Sequence, residues 1–411
     1  MTAASTSRVL LTSQQWHAVS ASFLGWTLDA FDFFVLVFLV DVLAAQFHVP
    51  PSKIIFTTFA TLAMRPVGAL LFGLLADRYG RRTPLMANVV FFSVVELLCG
   101  FAPNYTVFLI LRTIYGIGMG GEWGVGSSLA METVPAKWRG TISGVVQSGY
   151  SCGYLLAAVA AKTVLPMWNW RAMFWAGGLP ALLAFYIRWK VTESEAWKQH
   201  RMPEFRSIVR IAASNWPLLA FMVVMMALMN FLSHGTQDLY PHFLGSTRGF
   251  STSTVANIAI LYNIGSLVGA VLFGRLSEWI GRRRSLVSAT IVALCAIPLW
   301  AFGGSLHSIA IGAFLMQVGV QGAWGIIPAH LNELSPAAVR GLLPGFAYQL
   351  GVLIAAPVNI IEYKLRDRFG YSWALAGFEI VNIIVLATVV ILGPERSGED
   401  FLSSTPPHKA S

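Results

Sequence analysis

VGALLFGLLADRYGRR (67–82) returns as VGAVLFGRLSEWIGRR (268–283), an offset of 201 residues. The same offset carries Trp123 to Trp324, Glu132 to Glu333, Pro135 to Pro336, Arg139 to Arg340 and Gly144 to Gly345, so one register holds without an inserted residue. A repeat of that length means that one structural unit has been used twice.

Composition says what kind of unit it is. Hydrophobic residues make up 56% of the 411 and charged residues 11%, against roughly 25% charged in a soluble domain. A membrane helix needs about 20 apolar residues. Twelve segments qualify: 17–43, 53–76, 84–103, 106–132, 139–164, 169–190, 216–244, 252–276, 283–303, 306–333, 341–364 and 371–393. The expected organisation is an all-α membrane protein with a tail (1–16), a six-helix half (17–190), a linker (191–213), a second half (214–393) and a tail (394–411). No cleavable signal segment precedes the first helix, which is read as retained. Most of the 28 Lys and Arg fall on the side holding both termini, which the positive-inside rule makes cytoplasmic. The cluster YKLRDRF (363–369) is an exception.

Several classes drop out. The net charge of +9 reflects loops beside anionic headgroups rather than nucleic-acid binding. Cys99, Cys152 and Cys295 lie far apart within helices and read as small packing residues. No nucleophile–base pair, metal-ligand cluster or phosphate loop is visible, so neither an enzyme nor a cofactor is expected. The lipid bilayer is the expected surrounding and a monomer the expected state.

Function concentrates in MALMNFLSHGTQDLYPHFLG (226–245). Ionisable groups inside a membrane are costly unless they face a partner or water. At about 100° per residue, Asn230, Ser233, His234, Gln237 and Asp238 share a wedge of roughly 140°. That wedge is expected to face a central cavity, with Thr236 outside it bonding its own backbone. An anionic substrate there needs a cation or several donors. Two basic side chains lie well within the helices, Arg65 in the second and Arg112 in the fourth. Asp29 and Asp32, three apart, share a helix face. With Glu122, His234 and Asp238 they are candidate proton carriers, while Glu96 and Glu379 read as packing acids. Gln317, Gln321 and Trp324 form a compact wedge on the tenth helix opposite Trp123 and Glu122, and Tyr348 and Gln349 are further lining candidates.

NFLSHGTQDLYP resembles the seventh-helix signature of the sialate:proton symporter family, in its lactate-permease branch. GWTLDAFDFF (25–34), RPVGALLFG (65–73), GIGMGGEWGVG (116–126) and YQLG (348–351) are similar to other helices of that family. His242 and Val352 depart from the pattern. The repeated GLLADRYGRR loop (73–82) resembles the signature between the second and third helices of the major facilitator superfamily, whose halves are parallel six-helix repeats.

The resemblance implies proton-coupled uptake of small monocarboxylates such as lactate, pyruvate or acetate across a bacterial inner membrane. Arg65 would be the carboxylate anchor, with Asn230, His234, Gln237, Gln321, Tyr348 and Gln349 as substrate ligands. Arg112 begins a fourth-helix signature linked to proton transfer. Gly73, Asp77, Arg78, Arg81, Arg82, Glu132, Arg139, Glu278, Glu333 and Arg340 would form the gate. A larger acid, sialate or an aromatic carboxylate, is the alternative substrate. The short linker disfavours the sialate carriers that hold extra helices there. A non-transporting sensor is the alternative class.

Overall fold

A computed structural model describes residues 11–199 and 204–402. Residues 1–10 and 403–411 of the expected tails therefore lie outside the described residues. The described chain is helical, with no strand among its elements. The first span is α1 (Ser13–Phe38) with α2 (Val40–Phe47). Spans two to five are α3 (Pro51–Tyr79), α4 (Arg82–Cys99), α5 (Tyr105–Thr133) and α6 (Ala136–Trp168), and the sixth is α7 (Trp170–Ala176) with α8 (Pro180–Lys190). Two short helices follow, α9 (Glu195–Gln199) and α10 (Phe205–Ser214). The seventh span is α11 (Trp216–Gln237) with α12 (Tyr240–Ser246). Then come α13 (Thr252–Ile280), α14 (Arg282–Phe302) and α15 (Leu306–Leu334), an eleventh span of α16 (Leu343–Ala355) with α17 (Val358–Phe369), and α18 (Tyr371–Leu392). Ten of these spans are long and apolar enough to cross a membrane. The other two are α5, which carries three charged residues, and the divided sixth span.

Four segments expected to be continuous are broken: 17–43 at Leu39, 169–190 near Gly177, 216–244 at Asp238 and 341–364 at Ala356. Two breaks fall beside prolines. Pro241 and Pro357 have no N–H for the carbonyl four residues back, which favours a break there, although α3, α6, α14 and α15 run through Pro66, Pro166, Pro298 and Pro328. The sixth span divides at consecutive glycines before Pro180. Nothing local in the sequence accounts for the break at Leu39.

The repeat is visible as two six-helix halves. Their contact is made by α6 along α13 and α3 along α16, two pairings that the 201-residue offset exchanges. Backbones come very close. A Cβ on Gly124 would lie 2.7 Å from Cα of Gly345, and one on Gly73 would lie 2.7 Å from Cα of Leu342. Gly80 and Gly281 end α3 and α13 with φ of +96° and +89°, a conformation that suits glycine.

Loops near 80, 134, 191–194, 281, 335–342 and 393–402 gather on one side, the arginine-rich face. Loops near 49, 102, 169, 249, 304 and 370 form the far face.

Candidate functional site

A cavity of about 520 Å³ opens between the halves toward the far face. Its walls come from the far ends of α1, α3, α6, α11, α13 and α16, together with Pro241 and Asn359. His234, Gln237 and Asp238 all line it. His234 Nδ1 stands 3.2 Å from Asp238 Oδ2, and Asn359 Nδ2 donates to the same oxygen at 3.1 Å. Gln237 Nε2 donates to Gln317 Oε1 at 2.7 Å.

The expected polar wedge divides here. Asn230 and Ser233 are buried and do not line the cavity. Asn230 Nδ2 turns back to Met226 O at 2.7 Å. The reason is depth: about two turns below His234, α11 packs tightly on α16, where a Cβ on Gly351 would lie 2.7 Å from Met226 Cβ. Thr236 bonds Leu232 O at 2.7 Å, as expected, and also accepts from Gln317 Nε2 at 3.2 Å.

Below the cavity lies an aromatic floor. Tyr348 meets Trp123 at 4.7 Å between ring centroids, Trp324 at 5.5 Å and Trp26 at 6.3 Å, and Trp26 stacks on Tyr150 at 5.7 Å. Arg65 sits against this floor, its guanidinium 5.8 Å from the Tyr348 centroid. It is 5% exposed, makes no ion pair among the described residues, and leaves Nε and Nη2 without a partner. Asp29 and Glu122, both buried, have no hydrogen-bond partner among the described residues and lie within electrostatic reach of Arg65. Gln349 Nε2 reaches across to Gly120 O at 3.5 Å. Gln321 is buried beside Trp324 on α15.

Asp32 belongs elsewhere. Its Oδ2 accepts from Tyr115 at 3.4 Å, whereas Arg112 is ion-paired to Glu96 at 2.6 Å and lies over the Tyr115 ring at 4.4 Å. Glu96, read from the sequence as an isolated packing acid, is thus the partner of a buried arginine. None of these four lines the cavity.

The arginine-rich face is sealed by ionic and backbone contacts. Arg81 pairs with Asp77 at 2.6 Å and Glu132 at 2.8 Å, and Asp77 accepts from the backbone N–H groups of Gly341 (2.7 Å) and Leu342 (3.0 Å) in the other half. Burial works against the charge on Arg81, but Glu132 and Asp77 outweigh it and raise its pKa. Arg340 reaches Glu132 at 3.6 Å, and Arg139 reaches Glu333 at 3.1 Å. The second copy repeats the plan with changes. Arg282 takes Glu333 at 2.9 Å, while Glu278 accepts from Thr141 N (2.8 Å) and Thr141 Oγ1 (2.7 Å). Arg82 bonds Arg188 O within its own half, and Arg78 lies 5.8 Å from the Tyr79 ring centroid. Ser128 joins the halves through Asn332 Oδ1 (2.9 Å) and Arg340 O (2.8 Å). Phe401, from the chain after α18, lies under the guanidinium groups of Arg139 and Arg340 at 3.6 and 3.7 Å.

Sequence reasoning missed several of these residues. Arg282 was one offset away from Arg81. Tyr150, Tyr154, Asn263 and Asn359 line the cavity without any motif to mark them. Glu193, which accepts from Arg81 N at 2.8 Å, lies in a linker with no periodic signal.

Two repeated halves, an open cavity at one face and a sealed ionic rim at the other are the architecture of an alternating carrier. Residues 22–358 match the Major Facilitator Superfamily. The chain belongs to that superfamily. Members of it are carriers, and this major facilitator is a multi-pass membrane transporter rather than an enzyme. It is 32% identical over 410 residues to a carboxylic acid transporter protein homolog of Saccharomyces cerevisiae, covering 93% of this chain and 66% of that one. It is 28% identical to the sialic acid transporter NanX of Escherichia coli, covering 92% of this chain and 93% of that protein. Among solved structures it resembles the proton:xylose symporter XylE bound to 6-bromo-6-deoxy-D-glucose, with a TM-score of 0.77 and 20% identity over 94% of this chain and 97% of that one. That likeness supports the fold alone.

Proposed function

We propose that this facilitator is a proton-coupled symporter that imports small organic monocarboxylates across a bacterial inner membrane as a monomer. The observation that carries the reading is Arg65. A buried guanidinium with unused donors, beneath the cavity and between the halves, suits a carboxylate that brings its own charge. The similarity to carboxylic acid and sialic acid transporters supports an organic acid as the cargo. Tyr348, Gln321 and Gln349 would complete the site from below, and His234 and Gln237 from above.

Proton coupling is supported by Asp29 and Glu122 beside Arg65 and by the His234–Asp238 pair in the cavity wall. A carboxylate arriving at Arg65 competes with the acids for the same charge, so the acids favour protonation as substrate binds. Asp32 and Arg112 would act one layer away, through Tyr115 and Glu96.

The positive-inside bias supports cytoplasmic termini, with halves at 17–190 and 214–393. With that orientation the far face is external, so the cavity faces outward and the ionic rim forms the closed inner gate. Asp77, Arg81, Glu132, Arg139, Glu278, Glu333 and Arg340 would separate on inward opening. Gly73 would part from Leu342 at the same step, with Arg78 and Arg82 bracing the loop.

An aromatic carboxylate is a second reading. Phe34, Phe59, Tyr150, Tyr154 and Tyr262 line the 520 Å³ cavity, a wall suited to ring stacking. Labelled lactate uptake into proteoliposomes should rise with an inward proton gradient, collapse with a protonophore, and yield to unlabelled competitors in order of fit. Arg65→Lys keeps the charge but loses the planar fork, and should weaken lactate binding roughly 10- to 100-fold. Unchanged binding in that variant removes Arg65 as the anchor. Absence of uptake of any acid turns the reading toward a sensor.

A further inference from the structure

Glu362 on α17 and Glu379 on α18 are wholly buried, and none of their carboxyl oxygens has a hydrogen-bond partner among the described residues. They meet behind α11. A Cβ on Gly235 would strike Oε1 of Glu379 and stand 3.1 Å from Oε1 of Glu362. Both acids therefore press on the same bare patch of backbone, one residue from His234. Asn382 interacts with Glu379 through its side chain, while its Nδ2 donates to Leu228 O at 3.2 Å.

Few charges face this pair. From α11 come His234 and Asp238, which hold each other, with Asp238 in electrostatic reach of Glu362. Lys364, Arg366 and Arg368 on α17 make no ion pair with either acid, and Arg366 takes Asp367 at 2.8 Å. The rest of α18 has no charged residue, and α14, which packs on α18, holds its three arginines at the arginine-rich face. Two adjacent carboxyl groups, desolvated and without a cation, are ionised together only at high cost, so the empty pair draws a proton strongly. A proton shared between them removes the repulsion and supplies the missing donor. Asn359 lies three residues before Glu362 on one helix face, lines the cavity and bonds Asp238. The pair thus lies within electrostatic reach of Asp238 in the cavity wall.

We propose that Glu362 and Glu379 form a proton-binding site of the C-terminal half, separate from the acids around Arg65 and filled from the cavity by way of Asp238. The proposal rests on the proton-coupled reading and adds that the C-terminal half holds a proton of its own. In the filling step the O–H bond on Asp238 breaks and an O–H bond forms on Glu362, hydrogen-bonded to Glu379. Asp238 is left as a carboxylate that imidazolium at His234 balances.

Infrared spectroscopy of the purified full-length protein tests this without any transport assay, so it stands or falls apart from the symport reading. A protonated-carboxyl C=O band present near neutral pH should shift in E362Q and in E379Q, where the remaining acid keeps a proton, and should be lost in the double variant. E379D, which keeps a carboxyl group, should also shift the band even if the glutamine variants fold poorly. Asp238→Asn should slow deuterium exchange at that band by at least about tenfold. A band unshifted in both single variants and retained in the folded double variant overturns the proposal. So does binding of radiolabelled sodium that both single variants abolish, because the pair would then hold a metal cation instead.

Discussion

Away from the arginine-rich face, the buried acids of the N-terminal half have arginines beside them, whereas Glu362 and Glu379 in the C-terminal half pair with none among the described residues. Arg65 serves Asp29 and Glu122, and Arg112 serves Glu96. The 201-residue offset puts Ser266, Ala313, Ala323 and Ile297 where the first half has Arg65, Arg112, Glu122 and Glu96. The second copy has lost that whole charge set and placed its acids later, on α17 and α18. At the arginine-rich face the copies stay close: Glu132 and Glu333 each take an arginine from both halves. The difference teaches where symmetry is needed. A gate must close from both sides, while a single substrate needs its charge on one side only.

The largest expected effect breaks the N-terminal pairing. Arg112→Ala leaves Glu96 buried without its cation, and removing one partner of a buried pair costs about 3–5 kcal/mol. Thermal unfolding in detergent should show that loss, and the double variant Arg112→Ala, Glu96→Gln should recover part of it. A single variant as stable as the parent would mean that the pairing in this half carries no structural weight.

Gate symmetry is sharpened by a smaller effect. Asp77→Asn strips charge from a group that accepts two backbone N–H groups and Arg81, and should bias the gate toward opening by about 1–3 kcal/mol. Glu278→Gln touches only Thr141 and the half-exposed Arg275, and should do less. Labelling of a cysteine placed at Leu342 reads both. Equal labelling in the two variants would mean that the copies contribute alike.

The smallest expected effect concerns His234, which is partly exposed. Its replacement by Ala should lower gradient-driven uptake a few-fold more than counterflow exchange between loaded vesicles, since exchange needs no net proton release. Equal loss in both assays would make His234 a substrate ligand, and full retention in both would make it structural.

Much of the fold was legible because a repeat and an apolar period survive in linear sequence. Helix count, the two halves and the paired acids of the arginine-rich face all follow from those signals. Depth does not. Periodicity put Asn230 and His234 on one face, but only packing against α16 says that Asn230 is closed off while His234 meets the cavity. Pairings between helices were equally hidden: Glu96 and Arg112 sit on neighbouring helices, and no spacing rule joins them. Glu362 and Glu379 come from separate helices that meet only because Gly235 leaves room. Pro241 and Pro357 were readable as helix stops, yet both lay inside long apolar runs whose hydropathy concealed the break.

Phe401 has a practical consequence for anyone shortening or tagging this chain. A version ending at Gly393 would keep all twelve spans and pass as complete by hydropathy. It would nevertheless lose the Glu399 carbonyl that accepts from Arg139 at 2.8 Å, together with the ring beneath both guanidinium groups. Two like charges, one from each half, would then lose the ring they share and rely on Glu333 and Glu132 alone. The trimmed protein should rest in a different conformational balance, and a reporter fused directly behind Leu402 would pull on the same ring.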